Sequence, residues 1–298
     1  MKPLVRVLYR GPLDACNYGC TYCPFAKKAA SPSLLTRDRR ALERFVARVL
    51  LERDRPFGVF FTPWGEALVE KAYRDAIVAL SHGANVERVA IQTNLSAPLG
   101  FLDGANPSRV ALWATYHPEW TTRARFVRQV ERALAAGATV SCGVVGFRRF
   151  LDEIEALRRA LPGEVYLWIN AVKSTPAPEP YDERDLARLV AVDPHVSTNL
   201  VRHASEGRSC RTGASVITVD GDGVIRRCHF VPTPLGNFFD DSLERVLGER
   251  PCPNATCGCH IGYVHLDDLG LASVYGDGIL ERVPRRLPVV RADGLADA

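Results

Sequence analysis

The feature that most constrains this chain is a group of three cysteines near its start. Cys16, Cys20 and Cys23 stand at a C-x3-C-x2-C spacing, directly after the strand-like residues 4–9. Three thiolates this close in sequence can wrap one metal cluster, and a 4Fe-4S cluster held by three cysteines keeps one iron open for chemistry. A zinc knuckle is the alternative. Zinc sites usually complete four ligands locally with cysteine pairs and nearby histidines, whereas the nearest histidine here is His82.

Cysteine usage in the rest of the chain also favours metal binding over disulfides. Eight of the nine cysteines lie in two groups, within residues 16–23 and 210–259. The ninth, Cys142, stands in an apolar run, where we expect a buried, unligated thiol. The first residues enter a strand without a signal-peptide pattern, and no apolar run reaches membrane-spanning length. We therefore expect a cytoplasmic protein with reduced thiols, because the cytosol keeps cysteines from pairing.

The distribution of charge along the chain indicates which kinds of partner the protein binds. The net charge of +4 is spread through Arg-rich helical stretches and is not gathered in one run. We therefore predict no dedicated nucleic-acid surface and no membrane partner, although an anionic cofactor or substrate would suit the positive charge. An apolar fraction of 47% with 24% charged residues is typical of a globular protein with a substantial core.

Short β-branched runs alternate with amphipathic helical stretches. Strands are predicted at residues 5–9, 58–61, 88–93, 110–115, 139–145 and 165–170, and helices at residues 36–53, 67–81, 121–136, 150–160 and 182–192, with Thr36 as the first N-cap. This alternation predicts an α/β fold of parallel strands with crossover helices. Periodicity does not separate a closed barrel from an open doubly wound sheet, but in both folds functional residues lie at the carboxyl ends of the strands.

The cysteine spacing, with Tyr22 directly before the last cysteine, resembles the cluster loop of the radical S-adenosylmethionine (radical SAM) enzymes. The resemblance implies a partial (β/α)6 TIM-like barrel and a 4Fe-4S cluster ligated by Cys16, Cys20 and Cys23. It implies that S-adenosylmethionine chelates the open iron and is cleaved reductively to a 5'-deoxyadenosyl radical, with the cofactor carrying the hard step. It also implies that Tyr22 lies beside the cofactor and that flavodoxin or ferredoxin donates the electron.

The segment after the second predicted strand, residues 62–66, resembles the Gly-Gly-Glu motif of the same family. Trp64 and Gly65 stand in place of the two glycines. The resemblance implies that Pro63, Trp64, Gly65 and Glu66 bind the cofactor. Backbone carbonyls and the Glu66 carboxylate would then accept hydrogen bonds from the methionyl ammonium.

The later strands also end in polar or small residues. Asn94 lies in a turn that resembles the family's Thr-Asn-Gly turn, with Leu95 where glycine usually stands, and the resemblance implies that Asn94 faces the cofactor. A turn cap is the alternative role for this asparagine. At the end of the fourth strand, Thr115 or Tyr116 is expected to reach the ribose or carboxylate of S-adenosylmethionine. Gly143 would let the backbone approach the adenosine closely.

Two loop residues are candidate catalytic groups. His117 and Glu119 follow the fourth strand, and we expect them to act on the substrate, since loops at strand ends carry function. A solvated or capping role is the alternative. Asn170 and Lys173 end the sixth strand, where they are explained equally well as ordinary polar residues.

The second cysteine group surrounds a hairpin. Cys210 precedes a β run, residues 220–223 supply Asp-Gly turn chemistry, and Cys228 closes the second run. Three further cysteines follow, which are Cys252, Cys257 and Cys259. This layout resembles the auxiliary-cluster region called SPASM or twitch in radical SAM enzymes. The cysteines are too few for two auxiliary clusters, so the resemblance implies a single second 4Fe-4S cluster.

We assign that cluster to Cys210, Cys228, Cys257 and Cys259. Cys257 and Cys259 are awkward on one cube because only one residue separates them, so Cys252 in place of either is a rival assignment. A second rival assignment is a cluster held by only three of these cysteines, with one iron left without a protein ligand. A zinc ribbon that holds the C-terminal region together is the alternative outside iron-sulfur chemistry.

The predicted organisation is a radical SAM partial barrel over residues 1–204, an auxiliary-cluster region over residues 205–265, and a packed segment with a frayed tail over residues 266–298. The Pro-rich residues 175–180 are predicted to cross the barrel mouth. We expect a radical SAM enzyme that abstracts a hydrogen atom from a peptide or protein. The alternatives are a radical SAM enzyme of small-molecule or nucleoside biosynthesis, and a non-catalytic iron-sulfur or zinc redox protein.

Overall fold

The computed structural model describes residues 2–173 and 177–287. The strands are β1 Val5–Arg10, β2 Phe57–Phe61, β3 Val86–Thr93, β4 Val110–Tyr116, β5 Thr139–Val145, β6 Tyr166–Asn170, β7 His203–Ala204, β8 Val216–Asp220, β9 Val224–Arg226, β10 Pro234–Asn237 and β11 Thr256–Cys257. The helices are α1 Pro32–Leu51, α2 Lys71–Ser81, α3 Arg123–Ala135, α4 Leu151–Ala160, α5 Glu183–Val192, α6 Val196–Leu200, α7 Leu243–Val246, α8 His260–Tyr263 and α9 Leu271–Tyr275. Residues 175 and 176 of the predicted Pro-rich crossing and most of the predicted tail lie outside the described residues.

The sheet confirms the predicted α/β class. Its strand order is β10-β9-β8-β1-β2-β3-β4-β5-β6, and the neighbours from β1 to β6 are all parallel. The sheet is open, as a partial barrel requires. Functional groups at the ends of β1 to β6 are therefore brought to one edge.

The predicted hairpin forms from β8 and β9, and it joins the barrel sheet. Strand β8 pairs in parallel with β1, with Arg6 opposite Val216, while β9 pairs with β8 in the antiparallel sense. The second cysteine group is therefore attached directly beside the strand that leads to the first. No local pattern in the sequence predicted this pairing.

Side chains of the sheet alternate between an outer and an inner apolar cluster. Val7 and Tyr9 of β1 belong to the outer cluster, which packs against helices α1 to α5, whereas Leu8 between them belongs to the inner cluster. The inner cluster also contains Trp113 and Trp168, whose ring centroids lie 5.2 Å apart. Residues of α8 and α9 complete it. The C-terminal segment, predicted only as a packed segment, thus covers part of the concave face of the sheet.

Two predicted helix starts are wrong. Thr36 is not the first N-cap, because α1 begins one turn earlier, where Ser31 accepts a hydrogen bond from the Leu34 amide and Pro32 occupies the first helical turn. Proline there has its φ preset for the helix, and its missing amide hydrogen costs nothing. Helix α2 begins at Lys71, four residues later than predicted. Within the described ranges, no helix combines the length and apolarity needed to cross a membrane.

Candidate active site

The first cysteine group lies on a loop that leaves the carboxyl end of β1. Its three thiols are free, and short backbone hydrogen bonds hold the loop. The Cys16 amide donates to the Lys28 carbonyl at 3.0 Å, the Cys23 amide donates to the Cys20 carbonyl at 3.2 Å, and the Tyr18 amide points at the Cys16 sulfur at 3.4 Å. We call this segment, residues 16–23, the cluster loop.

The three thiols lie near one another. Burial raises the pKa of Cys20 to about 11, the Tyr22 hydroxyl opposes this, and the neighbouring thiols Cys23 and Cys16 raise the pKa further. Burial likewise raises the pKa of Cys16, with a smaller contribution from Cys23. A bound cation would lower the raised pKa values of Cys16 and Cys20, because it favours the thiolate form that binds metal.

The donor set fits an iron-sulfur cluster. Three cysteines converge on one loop, and cysteine thiolate is the usual ligand of such clusters. In residues 2–173 and 177–287, no three side chains of cysteine, histidine, aspartate or glutamate gather as the ligands of a single metal ion do. A cube of four irons is larger than one ion, so its ligands do not have to gather so tightly.

The end of β2 packs directly against the cluster loop. The Glu66 amide donates to the Ala15 carbonyl at 2.9 Å, and a Cβ atom added to Gly65 would lie 1.8 Å from the same carbonyl oxygen. Only glycine fits at position 65. Trp64, by contrast, is 40% exposed and packs its ring 5.4 Å from that of Phe25, so this position tolerates a large side chain. The pair that replaces two glycines therefore keeps glycine at the position where close approach requires it.

Glu66 connects the ends of β2 and β3. Its carboxylate is buried and accepts hydrogen bonds from the Thr93 hydroxyl at 2.8 Å, from the Leu68 amide at 3.1 Å and from the Asn94 amide. Burial raises its pKa to about 7, against the opposing effect of these donors. Both carboxylate oxygens therefore already have protein donors, and the expected contact with a methionyl ammonium stays a prediction.

Asn94 reaches the cluster loop through Asn17. The Asn94 amide group donates to the Asn17 side-chain oxygen at 2.9 Å, and Asn17 donates onward to the Ser96 hydroxyl at 2.9 Å. The next residue, Leu95, has a φ of 57°, the left-handed region that glycine adopts freely. The turn therefore has the backbone shape that its glycine-containing counterpart would have, with the Thr93 hydroxyl accepting from the Leu95 amide at 2.9 Å.

The two candidate catalytic residues contact the cluster loop. His117 Nδ1 lies 3.3 Å from the Cys20 sulfur and 3.0 Å from the Tyr22 hydroxyl. Burial lowers the pKa of His117 to about 4, so the ring is neutral near pH 7. Glu119 accepts from Arg149 at 3.0 Å and from the Thr21 hydroxyl at 3.3 Å. These contacts give both residues a role in holding the loop, which the sequence did not predict, and their catalytic role stays a prediction.

Thr115 and Gly143 lie opposite each other on β4 and β5, and Gly143 lies opposite Trp168 on β6. A Cβ atom on Gly143 would lie 2.1 Å from the Trp168 ring, so this glycine makes room for the indole. Thr115 is half-buried on the same inner face, two residues after Trp113. Packing against Trp168 thus explains why glycine stands at position 143. Its predicted contact with adenosine stays a prediction.

The thiols of the second cysteine group influence one another's pKa. Burial raises the pKa of Cys257 to about 12, and the thiols of Cys228, Cys259 and Cys252 raise it further. Burial also raises the pKa of Cys228, with smaller contributions from Cys210 and Cys252. Five thiols, those of Cys210, Cys228, Cys252, Cys257 and Cys259, therefore lie in one neighbourhood, which Cys259 joins through Cys257.

Cys259 lies near Cys257 and also has a second set of neighbours, which are cations. Burial raises the pKa of its thiol, and the cations of Lys173, Arg10 and Arg282 lower it. The side chain is nevertheless exposed to solvent. Both observations fit a thiol that faces a solvent-filled concavity surrounded by protein. Sequence reasoning missed this second set of neighbours, because the spacing of a C-x-C pair does not reveal which way each side chain points.

Comparisons with known proteins were made by sequence and by fold. No protein-family model matches the chain, and no curated protein matches it in sequence. Native anSMEcpe with bound AdoMet and Cp18Cys peptide is 14% identical and has a TM-score of 0.52, and the match covers 82% of this chain and 80% of that one. Native anSMEcpe with bound AdoMet is also 14% identical, with a TM-score of 0.53 and coverage of 81% and 80%. Identities this low establish similarity of fold alone. The chain therefore shares its open, partial-barrel α/β fold with anSMEcpe, as the resemblance stated from its sequence predicted.

Proposed function

We propose that the chain is a radical SAM enzyme whose 4Fe-4S cluster is held by Cys16, Cys20 and Cys23. The observation that carries the proposal is the cluster loop itself, which carries three free thiols after the carboxyl end of β1 and whose backbone start at Ala15 and Cys16 packs against Gly65 of the adjacent strand end. The fold supports it, since proteins that share it hold AdoMet. When bound, the cluster would supply the electron that cleaves S-adenosylmethionine to a 5'-deoxyadenosyl radical, which abstracts a hydrogen atom from the substrate.

The chain's own residues orient the cofactor and keep the loop in place. Cys16, Cys20 and Cys23 would bind the cluster, and Pro63, Trp64 and Gly65 are proposed to meet the methionyl group through their backbone, which the Glu66 amide ties to the Ala15 carbonyl. Glu66 and Asn94 fix the ends of β2 and β3 against the loop. Tyr22, Thr115 and Gly143 are proposed cofactor contacts, and His117 and Glu119 are proposed to meet the substrate. Flavodoxin or ferredoxin is the proposed electron donor.

We assign the auxiliary 4Fe-4S cluster to Cys210, Cys228, Cys252 and Cys257. The Cys259 thiol also lies near Cys257, but it alone of the five has the cations of Lys173, Arg10 and Arg282 as neighbours that lower its pKa. This assignment prefers Cys252 to Cys259 and removes the crowding of two ligands in a C-x-C pair. The zinc ribbon is the competing outcome, and the metal content of the purified protein separates the two.

The proposed substrate is a peptide or protein. The support is that the anSMEcpe structure of the same fold contains a bound peptide. A small molecule or nucleoside is the alternative substrate. Incubation of the reconstituted protein with candidate peptides, followed by mass spectrometry for a loss of hydrogen or a new bond, separates them.

The experiment that tests the proposal is anaerobic. Protein reconstituted with iron and sulfide receives S-adenosylmethionine and a strong reductant, and 5'-deoxyadenosine is measured by chromatography. We expect the wild type to form it and the triple variant Cys16→Ala, Cys20→Ala, Cys23→Ala not to. Cys142→Ala is the matched control, since this thiol is fully buried in β5, away from both groups. Metal-loaded wild type that forms no 5'-deoxyadenosine would leave the non-catalytic redox protein as the better account.

A further inference from the structure

Three cations face the concave side of the sheet. Arg10 ends β1 two residues after Leu8 of the inner cluster, and its guanidinium lies 4.1 Å from the Trp64 ring centroid. Lys173 follows β6. Arg282 lies in the C-terminal segment, with its guanidinium 4.6 Å from the Trp168 ring centroid. We call Arg10, Lys173 and Arg282 the barrel cations.

The barrel cations share one space. Burial lowers the pKa of Lys173 to about 8, and nearby Cys259 raises it while Arg282 lowers it. Burial lowers the pKa of Arg10 to about 10, again opposed by Cys259. The geometry agrees, because the Lys173 ammonium lies 5.7 Å from the Tyr263 ring centroid and the Arg282 guanidinium lies 5.8 Å from the Trp113 ring centroid, and both rings belong to the inner cluster. Side chains from the first strand, the last barrel strand and the C-terminal segment meet on one side of the sheet.

None of the barrel cations forms an ion pair within the described residues. Arg10 donates to the Thr62 carbonyl at 2.7 Å, and Lys173 donates to the Asn199 carbonyl at 2.7 Å. These two acceptors are neutral carbonyls, so neither cation is paired with a carboxylate among the described residues. Charged groups removed from water are normally paired, so an unpaired cluster marks a binding site.

Arg282 is the most buried of the three. It is 2% exposed, its Nε has no hydrogen-bond partner, and its φ is 56°, which is unusual for a residue with a side chain. The buried Asp193 carboxylate attracts it from beyond ion-pair distance and itself accepts from the Tyr166 hydroxyl at 2.5 Å and from the Ile169 amide at 2.8 Å. The guanidinium is held by aromatic rings and keeps hydrogen-bonding capacity.

We propose that the barrel cations bind an anionic group of the substrate, a carboxylate or a phosphate. Arginine and lysine recognise such oxyanions through charge-assisted hydrogen bonds, and a site that excludes most water strengthens them. The proposal rests on the proposed function and narrows its substrate class. A peptide would present its C-terminal or a side-chain carboxylate, and a small molecule its carboxylate or phosphate.

The test follows the reactivity of Lys173 in the reconstituted protein. An amine with a lowered pKa is acetylated readily near pH 8, and mass spectrometry reports each lysine separately. Inorganic phosphate and N-acetylglycine serve as probes at constant ionic strength in chloride. We expect one or both to slow acetylation of Lys173 saturably, by about tenfold at saturation. The remaining lysines, Lys2, Lys27, Lys28 and Lys71, should keep their rates.

A variant pair checks that the protection comes from the site. Arg10→Met should raise the half-protecting concentration by about tenfold, as expected for one charge-assisted contact. Arg37→Met is the matched control, since Arg37 is exposed on α1 and should leave that concentration unchanged. Arg282 is not substituted, because its burial among aromatic rings makes the fold depend on it.

The outcomes are distinct. Protection by phosphate points to a phosphorylated substrate, and protection by N-acetylglycine points to a peptide carboxylate. S-adenosylmethionine is tested as a third probe. If it alone protects Lys173, the cations belong to the cofactor site and the proposal is overturned. The proposal is also overturned if phosphate, N-acetylglycine and S-adenosylmethionine all fail to protect Lys173. The labelling needs no turnover, so failure to form 5'-deoxyadenosine would count against the proposed function and not against the anion site.

Discussion

Gly65 and Ala15 approach so closely that the Ala15 carbonyl oxygen occupies the space of a side chain on Gly65. A Cβ atom there would lie 1.8 Å from that oxygen. Gly65→Ala must therefore push the cluster loop away from the end of β2. We expect 5'-deoxyadenosine formation to fall by about a hundredfold, because misplacement of reacting groups by about 1 Å has effects of that size.

The matched control for Gly65→Ala is Gly163→Ala, where a Cβ atom would contact nothing. The measurement is the rate of 5'-deoxyadenosine formation together with the iron content after reconstitution. Equal rates in the two variants would show that the close approach has no part in cofactor binding.

Glu66→Gln tests how the ends of β2 and β3 are connected. The wild-type carboxylate accepts from three donors, whereas glutamine would turn an amide NH2 toward one of them. We expect the free energy of unfolding to fall by about 1–3 kcal/mol, the usual cost of an unpaired buried polar group. Urea denaturation of the wild type and the variant measures it, and equal stabilities would contradict the role given to Glu66.

Asp38 predicts a pH dependence. It accepts from the Leu13 amide at 3.0 Å, just before the cluster loop, and burial raises its pKa to about 6 against the opposing hydrogen bonds from Leu13 and Tyr73. A raised carboxyl pKa means that the folded state favours the protonated form. The contribution of Asp38 to stability is therefore greatest below about pH 4, its usual unfolded pKa, and is lost as the pH rises to 6.

Asp38→Asn removes this titration while keeping an acceptor oxygen. The stability of the variant relative to the wild type should rise between pH 4 and pH 6, by on the order of 2 kcal/mol. Denaturation at several pH values gives this difference. A difference that does not change with pH would show that Asp38 has an ordinary pKa in the folded protein.

Cys252 and Cys259 are rival candidates for one ligand position of the auxiliary cluster, and single variants compare them directly. In the background of the triple cluster-loop variant, only the second site can hold a cluster. We expect Cys252→Ala to lower the iron and sulfide bound there by at least half, and Cys259→Ala to leave them near the starting level, because Cys259 lies among cations. Iron loss in the Cys259 variant alone would restore the assignment first suggested by sequence. Zinc in place of iron would identify a ribbon.

Local patterns in the sequence predicted the parallel α/β sheet, since β-branched runs and amphipathic helices alternate with clear periods. The hairpin was predictable from its Asp-Gly turn. The first N-cap was not, because Ser31 and Thr36 are both good caps and only Pro32 favours the earlier one. The residue at which a helix begins can thus depend on one or two neighbouring residues.

Contacts between residues far apart in the chain could not be predicted from the sequence. The pairing of β8 with β1 joins strands far apart in the chain, and no local signal encodes it. The same holds for Arg282, which follows an unremarkable loop in sequence but ends against Trp168 on the inner face. Leu95 shows a third limit. Its φ of 57° would have been expected only of glycine, and the Thr93 hydroxyl bonded to its amide helps to hold it.

The central claim is that the cluster loop presents an iron to S-adenosylmethionine. Electron paramagnetic resonance of the reduced protein, recorded with and without S-adenosylmethionine, tests this most directly. We predict that addition of S-adenosylmethionine changes the cluster spectrum of the wild type and of a variant lacking the auxiliary cysteines, and leaves that of the triple Cys16, Cys20, Cys23 variant unchanged. A wild-type cluster spectrum that S-adenosylmethionine does not alter would contradict the account.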